Sequence, residues 1–122
     1  MILADASIWI EHFRIPNESF LRLLGRNEIA CHDFVIGEVS LGHVRNRDAA
    51  LRELSELPRS NHIANEEVRT LIFRHRLFGK GIGYVDVHLL ASAILTDGCS
   101  LWTRDKNLSI VAQSLDVEAQ VR

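Results

Sequence analysis

Short apolar runs alternate with longer helical runs along the whole chain, and this alternation limits the fold more than any other feature. Residues 1–4, 28–32 (EIACH), 61–64, 100–103 (SLWT) and 117–121 read as short buried strands. Helices are expected over 6–13, from Asn17 through ESFLRLLGR, and over FVIGEVSLGHV with Asp33 as its cap. Further helices are expected over 48–57, stopped by Pro58, and over EEVRTLIFRHRLF with Asn65 as its cap. The last two are expected from Tyr84 to near Gly98 and over 106–115, with the glycines of GKGIG (79–83) permitting the turn into the former. Such a pattern predicts an α/β fold: a mainly parallel central sheet of four to five strands, flanked by helices on both faces. With 122 residues, 47% of them hydrophobic, the chain suits a single domain over 1–122 with one real core.

In sheets of this kind, ligands bind outside the carboxyl ends of the strands. Asp5 follows the first apolar run and Asp105 follows SLWT, so both are expected at that edge. Either also serves as a cap for the next helix. Two more acids sit out of phase with the polar positions of their helices. On a helical wheel of YVDVHLLASAILTDG, His88, Ser92 and Thr96 form the natural solvent stripe. Asp86 lies away from it, among Leu89, Leu90 and Ala93. Glu38 likewise falls beside Phe34, Leu41 and Gly42, away from Ser40 and His43. Capping explains Asp86 taken alone, and solvation or ion pairing explains Glu38. Taken together, two strand-end acids and two misplaced helical acids can converge at the top of one sheet. Clustered carboxylates repel, and a shared proton or a cation relieves that repulsion. An all-oxygen set favours Mg²⁺ or Mn²⁺ over zinc, and such ions act on phosphate esters.

Four blocks, LADASIWIEHF, FVIGEVSLG, GIGYVDVHLLASAIL and LWTRDKNL, occur in this order across nearly the whole chain. In them the sequence resembles the PIN-domain ribonucleases that act as toxins of VapBC toxin–antitoxin pairs. The resemblance implies a PIN-like three-layer sandwich and metal-dependent RNA cleavage with Mg²⁺ or Mn²⁺. It places the acidic catalytic positions at Asp5, Glu38, Asp86 and Asp105, with Asp5, Asp86 and Asp105 as metal ligands. Ser7 and Thr103 match the supporting hydroxyls. Some relatives carry a further acid where this chain has Asn107, whose amide oxygen can still orient water or bind metal weakly. A homodimer and a small antitoxin of the VapB type, laid across the toxin groove, are implied as partners.

RNA needs positive charge despite a net charge of −2. Arg69, Arg74, Arg76 and Lys80 lie before and within the GKGIG loop, and Arg104 and Lys106 flank Asp105. Of these, Lys80 and Arg104 are the expected phosphate contacts. His88 reads as a surface residue, and Trp9 and Trp102 as core. Two cysteines, Cys31 and Cys99, give neither a disulfide framework nor a zinc spacing, so a reduced cytoplasm is expected. No run approaches the roughly 18 apolar residues that span a bilayer, and MILADASIWIEHF does not read as a signal peptide. Two rival readings remain. A haloacid dehalogenase-type phosphatase wants Asp-x-Asp after the first strand, where this chain has Asp5-Ala6-Ser7. A catalytically silent RNA- or antitoxin-binding module would retain the fold without the chemistry.

Overall fold

The computed structural model describes residues 1–121. Three short strands, β1 (Ile2–Ala4), β2 (Ile29–Ala30) and β3 (Ser100–Trp102), form one parallel sheet in the order β2-β1-β3. Ile2 sits between Ile29 and Ser100, and Ala4 lies opposite Trp102. Leu3, Ala4, Ile29, Ala30, Leu101 and Trp102 are all buried, as strands covered on both faces require. The helices α1 (Ala6–Arg14) and α2 (Glu18–Gly25) connect β1 to β2. From β2 to β3 the chain runs through α3 (Asp33–Ser40), α4 (Arg47–Glu56), α5 (Asn65–His75) and α6 (Tyr84–Ile94), and α7 (Lys106–Ser114) follows β3. Helix α1 packs on β1 and α3, and α6 packs on β3 and α5. Trp9 and Trp102 flank Phe20 in the core, with ring centroids 4.7 and 5.7 Å from it.

The parallel α/β layer agrees with the expectation, but the strand count does not. The strand expected over 61–64 does not form, a single bridge standing earlier at Arg59 beside Cys31, and the one expected over 117–121 shrinks to a single bridge, Glu118 beside Leu101. On the first edge, Cys31 donates to the Pro58 carbonyl and accepts from the Ser60 amide. The chain then leaves the sheet, because the Asn61 amide donates to Thr96 Oγ1 and its side chain to the Leu95 carbonyl. On the other edge, Leu101 donates to the Val117 carbonyl and accepts from the Ala119 amide.

Two caps shift by one residue. His32, not Asp33, caps α3: its Nδ1 accepts the Phe34 amide at 3.0 Å. Asp33 instead pairs with Arg59 at 3.1 Å. Ala64 precedes α5, and Asn65 turns its side chain toward α6.

That turn of Asn65 belongs to a larger correction. The His88–Ser92–Thr96 stripe does not face solvent, for His88 is 1% exposed and Ser92 is wholly buried. Residues 60–65 cover the stripe with matching polar groups. Ser92 Oγ donates to the Asn61 carbonyl and lies 2.7 Å from Ser60 Oγ. His88 Nε2 lies 2.8 Å from Asn65 Oδ1. Helix α6 is therefore covered on its polar side as well as its apolar side, which wheel phase cannot distinguish from solvation. Replacing Ser92 by Ala leaves Ser60 and Asn61 short of a buried partner and should cost about 1–3 kcal/mol in urea unfolding. A solvent-facing serine would change stability by less than about 0.5 kcal/mol.

Candidate metal centre at the carboxyl end of the sheet

Strand order reverses at β1, so the switch point lies between the carboxyl ends of β1 and β3. Asp5 stands at the first of these ends and residues 103–105 at the second. Asp5 continues the ladder by donating its amide to the Trp102 carbonyl at 3.0 Å. Its side chain caps α1 through the Ile8 amide. That carboxylate is 5% exposed and accepts two hydroxyl protons, from Ser7 on Oδ1 and from Thr103 on Oδ2. Both hydroxyls are themselves held by the β3–α7 turn. Ser7 Oγ accepts the Arg104 amide at 2.9 Å, and Thr103 Oγ1 accepts the Asp105 amide at 3.0 Å. Asp105 is the exposed N-cap of α7, accepting the Leu108 amide at 2.8 Å.

Asp86 comes from the first turn of α6, half-buried, and accepts the Gly83 amide at 2.9 Å. The capping reading is thus correct for Asp86, Asp5 and Asp105, and in each case it leaves carboxylate capacity unspent. Burial first, then the charges of Asp105 and Asp5, raise the pKa of Asp86, while the Gly83 amide opposes the rise. Glu38 lies near the end of α3, and its expected apolar side is open, since Leu41 is 89% exposed. Its pKa is also raised, by partial burial and then by Asp86 and Asp5. Because Glu38 is exposed by area, the field of its acidic neighbours is the more telling cause. Asp5 acts on both Glu38 and Asp86, so the four predicted acids share one electrostatic environment.

Among the described residues, no three His, Cys, Asp or Glu side chains are close enough together to ligate one ion directly. The donor chemistry fits a hard cation that keeps several waters and takes one or two carboxylates, as Mg²⁺ does. Raised carboxyl pKa values within an all-acid neighbourhood are what such a charge would relieve.

The other expected residues are more scattered. Asn107 donates from Nδ2 to the Gly81 carbonyl at 3.3 Å, tying α7 to the glycine loop. Gly81 is required there: its φ is +75°, and a Cβ would stand 2.6 Å from Asn107 Nδ2. Lys80 is exposed in that loop. Arg104 is less free than expected. Its Nε and Nη2 grip Glu11 at 3.0 Å, and its guanidinium lies 5.6 Å from the Trp102 ring centroid. Sequence reasoning missed Asn65, which binds Tyr84 and His88 together. The i, i+4 spacing of those two rings, with one residue on either side of Asp86, was the available signal.

This fold and this acidic edge define a class of protein. The chain belongs to the PIN domain family, whose model matches residues 2–113. Among individual proteins, it is 45% identical over 108 residues to Ribonuclease VapC32 of Mycobacterium tuberculosis, in both strain CDC 1551 / Oshkosh and strain ATCC 25618 / H37Rv. The match covers 88% of this chain and 87% of that protein.

The raised pKa of Asp86 has a consequence for stability. A carboxyl with a folded pKa above its unfolded value binds its proton more tightly when folded. Its contribution therefore improves as pH falls through the folded pKa and levels off below the unfolded one. Asp86→Asn keeps an oxygen for the Gly83 amide and removes the charge. In chelator at pH 7, its urea midpoint should equal or exceed that of the wild-type protein, and the gap should close as pH falls toward 4. A large loss of stability at pH 7 would show that Asp86 serves only as a cap.

Proposed function

We propose that this protein is a metal-dependent endoribonuclease, the toxin of a toxin–antitoxin pair, acting as a single PIN-like domain over 1–122. The single observation that carries the reading is the bonded edge at the carboxyl end of the sheet, where Ser7 and Thr103 join Asp5 to the turn that holds Asp105, with Asp86 and Glu38 pushed up in pKa by burial and by acidic neighbours. The resemblance to a ribonuclease over 88% of the chain supports it.

In this reading Asp5, Asp86 and Asp105 would hold Mg²⁺ or Mn²⁺ together, one or two of them directly and the rest through the waters the ion keeps. Such an ion promotes ionisation of an attacking water and stabilises the leaving oxygen of a phosphodiester. Glu38, with its raised pKa, would be the group that accepts a proton from water at this edge. Ser7 and Thr103 commit their protons to Asp5 and so fix both of its oxygens. Asn107 holds the glycine loop, and that loop presents Lys80 toward the RNA backbone. Arg104 has Nη1 left over from its Glu11 pairing for a phosphate.

The partners follow the same reading. A groove between α1 and the turn after α3 has an apolar floor of Ile10, Phe13 and Val44 with Arg14 and Arg45 at its rim. It suits an amphipathic segment of a VapB-type antitoxin. Exposed Phe73 and Phe78 favour a second covered surface, consistent with a homodimer. Among the described residues no helix is long and apolar enough to cross a membrane. The buried free thiols Cys31 and Cys99 accord with the cytoplasm as the working compartment.

Total cellular RNA incubated with the protein should yield discrete products in Mg²⁺ or Mn²⁺ and none in chelator. Asp86→Asn should slow cleavage at least about 100-fold, since stabilising the developing charge accounts for several kcal/mol. Cleavage at the wild-type rate would remove Asp86 from the site. No metal-dependent products with the wild-type protein would favour the silent binding module.

A further inference from the structure

A cluster of rings lies between α3 and α6, beside the acids but outside their chemistry. Buried His88 is its centre. Tyr84 meets His88 edge-on, with centroids 4.7 Å apart and planes at 89°. Phe34 meets it at 4.9 Å from α3, and His62 lies nearly parallel to it at 5.9 Å. Phe34 and His62 touch each other at 5.5 Å. Asn65 Oδ1 holds both the Tyr84 hydroxyl at 2.9 Å and His88 Nε2 at 2.8 Å. Its outer members remain open: Tyr84 is 45% exposed and His62 is exposed. Phe34 precedes Glu38 by one turn of α3, and Tyr84 precedes Asp86 by two residues of α6.

The floor of this cluster is not an ordinary apolar core. His32 Nδ1 accepts the Phe34 amide, so its other nitrogen carries the proton. That Nε2–H is buried without an acceptor. His88 donates from Nε2 to Asn65, so its Nδ1 holds a lone pair, which is buried without a donor. His62 lies against both rings, 5.5 Å from His32 and 5.9 Å from His88. One unmet donor and one unmet acceptor are therefore buried in the two rings that His62 lies against. Those two atoms are out of a ligand's reach, but the open rings of Tyr84 and His62 offer flat faces that suit the face of a nucleobase.

We propose that Phe34, His62 and Tyr84, seated on His88, form a stacking ledge for one base of single-stranded RNA next to the acidic centre. The proposal rests on the ribonuclease reading and adds where the substrate's base lies. Pre-fixed rings beside the reacting phosphate would hold the strand without demanding a sequence, since every base has a π-face.

The test compares binding of two fluorescent chains of equal length in chelator, where no cleavage occurs. One is single-stranded RNA, and the other is the same sugar–phosphate chain without bases. Wild-type protein should prefer the base-bearing chain by roughly 5- to 100-fold, the range of stacking on one aromatic platform. Tyr84→Leu and His62→Ala should each reduce that preference at least about threefold, and Tyr84→Phe should keep it. Circular dichroism confirms that each variant is folded, and exposed His62 supplies the test if Tyr84→Leu is not. Equal binding of both chains by the wild-type protein overturns the ledge and leaves the ribonuclease reading standing. A preference that survives in both variants does the same. If Tyr84→Phe loses as much as Tyr84→Leu, the hydroxyl bond to Asn65 matters and stacking does not. If the wild-type protein binds neither chain, the ledge falls, while the ribonuclease reading is decided by RNA cleavage in Mg²⁺ or Mn²⁺.

Discussion

The carboxylate of Asp5 is the contact on which the site depends. It ends the central strand, caps α1, and receives protons from Ser7 and Thr103, so two stretches far apart in sequence, 5–8 and Thr103, meet on two oxygens. The Thr103 bond spans 98 residues of sequence and ties β1 to the end of β3. Through Thr103 Oγ1 the same network reaches the amide of Asp105, the next acid. A 5% exposed carboxylate accepts this many donors because burying it unpaired would cost several kcal/mol. The bonds that settle this cost also fix where the other acids must stand.

Asp86 and Glu38 arrive from the opposite side by a different route. Neither is anchored to Asp5, and each is carried by a helix whose position is set elsewhere. Helix α6 is locked by its polar stripe against residues 60–65 and by its apolar side against β3. Helix α3 starts from the His32 cap beside β2, and neutral His32 is needed for that cap because its Nδ1 must accept. Burial first, and then the neighbouring His62, hold the His32 pKa down to about 4, so the cap persists through the neutral range. This frame brings two more carboxylates toward Asp5, where burial first, and then their acidic neighbours, push both pKa values up.

Much of this was legible in the sequence, for physical reasons. Strand–helix alternation fixes a parallel sheet, and residues after apolar runs must lie at its carboxyl edge, so Asp5 and Asp105 were readable from position alone. Asp86 was readable from wheel phase. Glu38 was readable for a less secure reason, because its apolar flank proved open and its place follows from α3 as a whole. The polar stripe of α6 was misread because phase reports polarity and not what covers it. His88 and Ser92 are buried by partners, Asn65 and residues 60–61, that lie 23 to 32 residues away. The strand count failed at both edges, where single residues bridge and side-chain bonds then draw the chain off the sheet.

The fold places the acids at one edge, and in the proposed function relief of their repulsion is what would favour a bound cation. The most direct measurement of that claim is free Mn²⁺ followed by electron paramagnetic resonance while protein is titrated in. Wild-type protein should deplete the free Mn²⁺ signal. Asp5→Asn and Asp86→Asn should each weaken binding by about tenfold or more, and Glu11→Gln, which removes an exposed acid already paired with Arg104, should leave it unchanged. A wild-type protein that leaves the signal untouched, or Asp5→Asn and Asp86→Asn variants that bind as the wild type does, would contradict the account.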